Sequence, residues 1–259
     1  MKTFVTLCLG ILLSCTNVFA KDPQQEYYSL IIYRFKTKEQ EARIDSYLKQ
    51  AYLPALHRSG KSKVGVFKPV ASDTAAFGKV IYVLTPFQSL EEFYKITSQL
   101  SQDAQLQKDG AGYVDAVYNE PPYSRMETVL MRAFPNSPVM VIPKLTGLRS
   151  DRIYELRSYE GPTEALYRKK VKMFNVGDEI GLFKKLGFNA VFYAEVLAGS
   201  RMPNLMYMTT FDNMASRDEH WKAFFSDPQW KELLTIEEYK HTVSKAEILL
   251  LSPTEYSDY

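Results

Sequence analysis

The sequence has little of what most recognisable enzyme sites are built from. Only two of its 259 residues are cysteine, Cys8 and Cys15, and only three are histidine, namely His57, His220 and His241. Because both cysteines lie within the first fifteen residues, the rest of the chain has no disulfide, thiol nucleophile or cysteine metal ligand. The histidines stand far apart and in no metal-binding spacing, so we predict no bound metal and no cofactor.

Other classes of protein are excluded by motifs that are missing. The sequence contains no GxSxG elbow, no glycine-rich phosphate loop and no dinucleotide fingerprint, so serine-hydrolase, kinase and nicotinamide chemistry have no support. Its 32 basic and 30 acidic residues are mixed along the chain. We therefore predict no nucleic-acid partner, since nucleic-acid binding requires concentrated positive charge.

The first twenty residues have the pattern of an export signal. Lys2 precedes an apolar run of about a dozen residues, and a small-x-small site ends at Ala20. We predict a signal peptide over 1–20, removed after Ala20, and a periplasmic or extracellular protein. The alternative is processing at Leu12-Leu13-Ser14-Cys15, which would leave a lipoprotein anchored to a membrane through Cys15. The apolar run is too short for a transmembrane span.

The second half of the chain repeats the first. In the first strand three residues recur 126 positions later: Tyr28, Leu30 and Tyr33 as Tyr154, Leu156 and Tyr159. Further on, Phe87 and Asp103 recur 124 positions later as Phe211 and Asp227, and Met214 stands in the place of Leu90. Two copies of this length indicate a pair of fused modules and not a solenoid of short repeats.

Each copy has the pattern of a β-α-β-β-α-β module. Runs rich in aromatic and β-branched residues predict strands, and stretches with helical spacing, such as Lys38 to His57 and Thr163 to Leu186, predict helices. We place a first ferredoxin-like module at 27–134, a proline-containing linker at 135–152, a second module at 153–251 and a tail at 252–259. Because the strands are apolar on both faces, we predict an α+β fold in which the two sheets pack face to face as a dimeric α/β barrel.

The second module also resembles a known family. The strings YELRSYEG, RKKVKMFNVGDEIGLFKKLGFNAVFYAEVLAG and PNLMYMTTFDNMASRDEHWKAFFSDPQWKEL are similar, in order and spacing, to the NIPSNAP domain from about Ile153 to Leu234. The resemblance implies the dimeric α/β-barrel superfamily, which includes small monooxygenases, haem-handling enzymes and stress-response barrels. No agreed reaction comes with the NIPSNAP name, and the mitochondrial and vesicle roles of eukaryotic members do not transfer to an exported chain.

Polar residues distinguish the second copy from the first. At the 126-residue offset, Glu155 and Arg157 stand where the first copy has Ser29 and Ile31, and Tyr193 and Glu195 stand where it has Phe67 and Pro69. Strand alternation places each pair on one side of its strand. If that side faces the barrel, these groups form a polar cluster in an apolar cavity, which is the composition of a small-molecule site.

We therefore predict a site for a small hydrophobic or aromatic ligand between the two modules. The predicted catalytic residues are Glu155, Arg157 and Glu195, and the predicted ligand-binding residues are Tyr159, Tyr193, Tyr207 and Thr209. In this site Arg157 would orient a polar group while Glu155 or Glu195 moves a proton.

Several alternatives stay open at this point. The charged cluster is also what an internal ion-pair network would look like. The protein could be a non-catalytic interaction module whose barrel is filled by its own side chains, or a haem-handling enzyme with His220 as ligand. A cavity at Arg157 would favour the ligand site, and a packed interior would favour the interaction module. The sequence does not decide between a monomer and a homo-oligomer.

Overall fold

The computed structural model describes residues 24–259. The predicted signal peptide, its cleavage site and the alternative lipid anchor at Cys15 lie outside these residues. Within the described part of the chain, no helix is both long enough and apolar enough to cross a membrane.

Eight antiparallel strands form one closed barrel. They are β1 (Tyr27–Arg34), β2 (Gly65–Pro69), β3 (Val80–Phe87), β4 (Arg125–Ala133), β5 (Ile153–Glu160), β6 (Phe192–Ala198), β7 (Asn204–Phe211) and β8 (Lys245–Pro253). Around the barrel the order is β1-β3-β2-β8-β5-β7-β6-β4. Each half therefore has the same ferredoxin-like order, with its first strand between its fourth and third strands. The predicted fold class is confirmed.

The two sheets close the barrel along two seams. At the first seam β4 pairs with β6, so that Arg132 lies opposite Glu195, and a bulge interrupts the register between Leu130 and Met131. At the second seam β2 pairs with β8, and Lys68 lies opposite Ser252. Both edges of each four-stranded sheet are thus covered by the other module, which leaves no open edge in the barrel.

The helices lie outside the barrel. They are α1 (Lys38–Tyr47), α2 (Leu53–Arg58), α3 (Leu90–Gln102), α4 (Ala104–Asp109), α5 (Ala111–Val114), α6 (Glu164–Asn175), α7 (Glu179–Lys185), α8 (Met214–Ser226) and α9 (Pro228–Thr235). A π-helical turn, Leu48–Tyr52, joins α1 to α2, and a 3-10 turn, Glu237–Tyr239, follows α9.

The repeat extends to the residues that start these helices. Thr37 and Thr163 cap α1 and α6 at the 126-residue offset, and each hydroxyl accepts a backbone N–H three residues on. The predicted single helix from 163 to 186 is in fact two helices. They are separated at Gly177 and Asp178, where Asp178 adopts a left-handed φ of 59° and its carboxylate caps α7.

Apolar side chains fill the barrel. Its core includes Tyr28, Tyr82, Tyr154 and Phe192, each at most 4% exposed. One end is closed by the chain beyond β8, where the ring of Tyr259 inserts. Two further hydrophobic cores lie outside the barrel, one in each module, between the outer face of the strands and the helices.

Tyr259 makes the residues after β8 part of the core and not a loose tail. Its ring centroid lies 5.4 Å from that of Phe67 and 6.0 Å from that of Tyr154. Its hydroxyl donates a hydrogen bond to the sulfur of Met140, in the connection between the modules. Three parts of the chain that are distant in sequence therefore meet at this end of the barrel.

We predict that Tyr259→Ala lowers the free energy of unfolding by about 3 kcal/mol, because it leaves a cavity lined by rings that cannot close around it. Urea-induced unfolding of the full chain measures this change. Tyr118→Ala is the control, since the Tyr118 side chain is fully exposed. Equal stability of the two variants would show that Tyr259 does not close the barrel.

Candidate functional site

The predicted site residues share one face of the sheet, but it is the face opposite to the expected one. Residues Tyr154 and Leu156 point into the barrel, whereas their neighbours in β5 point outward to the helices of the second module. The expectation of a barrel-lining cluster is therefore wrong for all seven residues: Glu155, Arg157, Tyr159, Tyr193, Glu195, Tyr207 and Thr209. Both sheet faces are apolar, so alternation shows which residues share a face but not which face it is.

The strand pairing also corrects how the two polar pairs lie relative to each other and how the copies align. The strands of Glu155 and Glu195, β5 and β6, are not neighbours, because β7 lies between them. Tyr193 pairs with Tyr207 in the second module, and the corresponding pair in the first module is Val66 with Val83. In register the counterpart of Glu195 is consequently Lys68, one residue before the predicted Pro69.

Glu155 lies at the centre of a buried ion cluster. Its side chain is completely buried, yet it accepts three hydrogen bonds: from Arg157 Nε at 2.5 Å, from Arg217 Nε at 2.6 Å and from Trp221 Nε1 at 2.9 Å. Both arginines form salt bridges with this one carboxylate; Arg157 lies in β5 and Arg217 in α8. With both oxygens occupied by donors, Glu155 is not placed to accept a proton from a ligand.

The guanidinium of Arg157 is also surrounded by side chains of the protein. Its guanidinium carbon lies 3.6 Å from the centroid of the Trp221 ring, and its Nη1 donates to the Tyr159 hydroxyl at 3.0 Å. That hydroxyl is 2.9 Å from the hydroxyl of Tyr207. The space around Arg157 is occupied by side chains of the protein, so the ion-pair network that the sequence left as an alternative describes this cluster.

Two further predicted residues are also part of this packed layer. Tyr193 is 3% exposed and stacks on Tyr207 with a centroid distance of 5.6 Å. Thr209, the register partner of Glu155, is completely buried, and its hydroxyl has no hydrogen-bond partner within residues 24–259.

Glu195 lies apart from this cluster, in a groove beside the first seam. The groove runs between α6 and the outer face of β4 and β6 and encloses about 410 Å³. Phe134, Pro135, Val171 and Val176 give it a largely apolar surface, and Gln25, Arg168, Lys172 and Asn175 also line it. This size and this lining suit a small organic ligand, for which a few polar groups would then set the orientation.

Among its polar side chains, Arg132, Glu195 and Tyr167 lie together beside the seam. Arg132 donates from both Nε, at 2.9 Å, and Nη2 to Oε1 of Glu195, while Oε2 of Glu195 has no donor among the residues described. The Tyr167 hydroxyl is buried and has no hydrogen-bond partner there either. Burial, together with the charge of Glu195, raises the pKa of Tyr167 well above its ordinary value. Tyr167 therefore keeps its proton and can act as a donor.

At the corresponding position beside the second seam, the protein's own side chains occupy the space. There Lys68, the counterpart of Glu195, donates to Glu41 at 2.9 Å and to Asp45 at 2.6 Å, and the Tyr256 hydroxyl donates to Asp45 at 2.6 Å. In the second module the counterparts of Glu41 and Asp45 are Tyr167 and Val171, which offer no charge. Sequence reasoning missed Arg132 and Tyr167, although comparing α1 with α6 at the 126-residue offset would have shown the loss of two carboxylates.

His220 has a structural environment. Its Nδ1 lies 2.6 Å from the Ser216 carbonyl oxygen, one helical turn earlier in α8, and its ring packs edge-on against Phe188 and Phe211. Within residues 24–259 there is no group of three or more histidine, cysteine, aspartate or glutamate side chains that could hold a metal ion.

Solved structures with very different sequences share this barrel. A protein from Lactobacillus acidophilus NCFM, provisionally named a monooxygenase, has a TM-score of 0.57 at 12% identity over 89% of this chain and 94% of its own. An anthrone oxidase-like protein has a TM-score of 0.52 at 10% identity, with 90% and 92% covered. A protein from Fusobacterium nucleatum subsp. nucleatum ATCC 25586, also provisionally named a monooxygenase, has 0.51 at 8%, with 89% and 93% covered.

The fold is thus a dimeric α/β barrel with both halves in one chain. Residues 154–258 match the NIPSNAP family model. This match lies in the second module and confirms the resemblance seen in its sequence. A search of curated protein sequences gave no match. At identities this low, the solved structures establish the fold and not a reaction.

We predict that Glu155→Gln lowers the free energy of unfolding by about 3 kcal/mol, because two arginines then lose their buried counter-charge. Chemical denaturation measures the change. Asp218→Asn is the matched control, since Asp218 pairs with the same Arg217 at 2.8 Å but its side chain is 64% exposed. A loss no larger than that of the control would contradict a structural role for the cluster.

Proposed function

We propose that this protein binds a small aromatic or hydrophobic molecule that carries a phenol-type hydroxyl, in the groove between α6 and the first seam. The observation that carries the proposal is the Tyr167 hydroxyl, which lies beside the Arg132–Glu195 pair in a mainly apolar groove and has no partner within residues 24–259. A buried hydroxyl without a partner is unfavourable, and a ligand oxygen would supply the partner.

The polar groups suit a phenol better than a neutral apolar molecule. Oε2 of Glu195 can accept the phenol proton, while the Tyr167 hydroxyl donates to the phenol oxygen. Arg132 fixes the orientation of Glu195 and, together with the exposed Arg168 at the rim, favours negative charge on that oxygen. The residues thus provide a proton acceptor, a donor and positive charge, which are the elements of general base chemistry on an acidic hydroxyl.

Glu195 is accordingly the one predicted catalytic residue that keeps this role in the proposal. Glu155 and Arg157 instead hold the sheet to α8. Whether binding leads to oxidation, as the names of the structural neighbours suggest for those proteins, is decided by oxygen consumption with the bound phenol. Consumption that depends on Glu195 would identify a cofactor-independent enzyme.

We predict that the full chain binds hydroxylated aromatics such as 1-naphthol and that Val171→Trp, which fills the groove, abolishes binding. Tyr167→Phe should weaken binding by roughly fivefold to tenfold, the effect of one lost hydrogen bond. Isothermal titration calorimetry measures both, after native mass spectrometry has tested for a molecule that copurifies. Val117→Trp is the control, because Val117 is exposed outside the groove. Unchanged binding by Val171→Trp would place the ligand elsewhere.

The packed barrel favours a second candidate from a different class. Because Tyr28, Tyr82 and Phe192 fill the interior, the protein could act without a ligand, through contacts of its outer helices with a protein partner. Absence of binding across a broad panel of phenols would favour this interaction role. A Soret band after haem supplementation would instead favour haem handling.

Export belongs to the same proposal. We expect the protein isolated from the cell envelope or medium to begin at Lys21, because the site at Ala20 fits signal-peptide cleavage. Intact mass and N-terminal sequencing test this expectation. A lipid-modified Cys15 at the N-terminus would show membrane anchoring instead of cleavage after Ala20. A protein that still carries residues 1–20 would contradict export by either route.

A further inference from the structure

The end of the barrel opposite Tyr259 has an opening of its own. It lies where β1 ends, β3 begins and β8 begins, and it encloses about 330 Å³. Its floor consists of side chains that point into the barrel: Ile32, Val80 and Tyr82 from the first module and Leu249 from the second. The opening is therefore shared by both modules and is separate from the groove beside α6.

The charges around this opening are only partly neutralised within the protein. Arg201 donates from Nη1 to Glu247 at 2.6 Å, and the Lys79 ammonium donates to the Ala75 carbonyl oxygen at 3.0 Å. Arg34, the last residue of β1, is exposed, and its guanidinium donates to no acceptor within residues 24–259. Arg34 and Lys79 thus have no carboxylate partner within the described residues, and the Arg34 guanidinium, with no acceptor at all, is the cation available for an anion.

The Tyr82 hydroxyl faces the same opening. The residue is 4% exposed, and its hydroxyl makes no hydrogen bond within the described residues. Burial, followed by the charge of Glu247, raises the pKa of Tyr82, while Arg34 and Arg201 lower it, and the net direction is upward. The phenol keeps its proton, so it can donate to an acceptor that enters the opening.

We propose that the open end of the barrel is a second binding site, which takes a small carboxylate with an apolar body. The apolar body contacts Ile32, Val80 and Leu249. The carboxylate accepts hydrogen bonds from the guanidinium of Arg34 and from the hydroxyl of Tyr82.

The charge at the rim selects a monoanion. Asp73 and Glu247 lie among the lining residues, so a phosphate or a dicarboxylate would bring excess negative charge close to two carboxylates. A single carboxylate needs only a planar cation and one further donor, and a guanidinium matches its geometry. The apolar floor excludes small hydrophilic anions, because they would lose hydration without replacement.

Titration of the full chain with benzoate and hexanoate, against benzamide as the neutral analogue, tests this site. We expect both carboxylates to bind and benzamide not to bind. Arg34→Gln should weaken binding about tenfold or more, the effect of a charge-assisted hydrogen bond, and Tyr82→Phe by several-fold. Arg125→Gln is the matched control, because Arg125 is the register partner of Arg34 but does not line the opening.

The result that overturns the proposal is equally direct. Lack of carboxylate binding at millimolar concentration, equal binding of benzamide, or affinity unchanged by Arg34→Gln would each do so. Val171→Trp separates this site from the phenol groove: it should leave carboxylate binding intact. Loss of carboxylate binding in Val171→Trp would show that both ligands use the groove, and then the open end would not be a site.

Discussion

The pairing of strands along the two seams is the constraint on which the rest of the structure depends. Alone, each four-stranded sheet would expose two edges and one apolar face, both of which favour aggregation. Pairing β4 with β6 and β2 with β8 satisfies the edges and encloses the apolar faces in a single step. The same pairing also positions the polar side chains of the groove, because the register that closes the barrel is the register that places Arg132 opposite Glu195.

Charge in the second module replaces part of the packing that holds helices to a sheet. Glu155 on β5 connects two elements, since it accepts from Arg157 in its own strand and from Arg217 and Trp221 in α8. The desolvation of such a cluster offsets much of its attraction, so it adds little to net stability compared with apolar packing. Its hydrogen bonds are directional, however, and they fix α8 over one position of β5. The first module has Ser29 and Ile31 at these positions and therefore lacks this cluster, and its charged contact between sheet and helix lies elsewhere, from Lys68 in β2 to Glu41 and Asp45 in α1.

The order of elements, the duplication and the shared face of the polar residues were predictable from the sequence, because they depend on local periodicity. Which side of the sheet faces the helices was not, since strands such as YYSLIIYRF are apolar on both faces. The adjacency of Glu155 and Glu195 could not be judged either, because β7 lies between their strands and only the pairing shows it. The role of Tyr259 depends on contacts with Phe67 and Met140, which are far away in sequence. The groove was missed for the same reason, because Arg132 and Tyr167 belong to different modules.

Fusion of the two modules gives a physical reason for their divergence. In a symmetric homodimer both seams are identical, so a residue that closes one groove closes the other as well. In a single chain the seams can differ: Lys68 and Tyr256 occupy the place beside the second seam, whereas Tyr167 and Val171 leave an open groove beside the first. One seam can then serve stability while the other retains polar groups without partners within the described residues. Such asymmetry between the seams is what the ligand site proposed at the first seam requires.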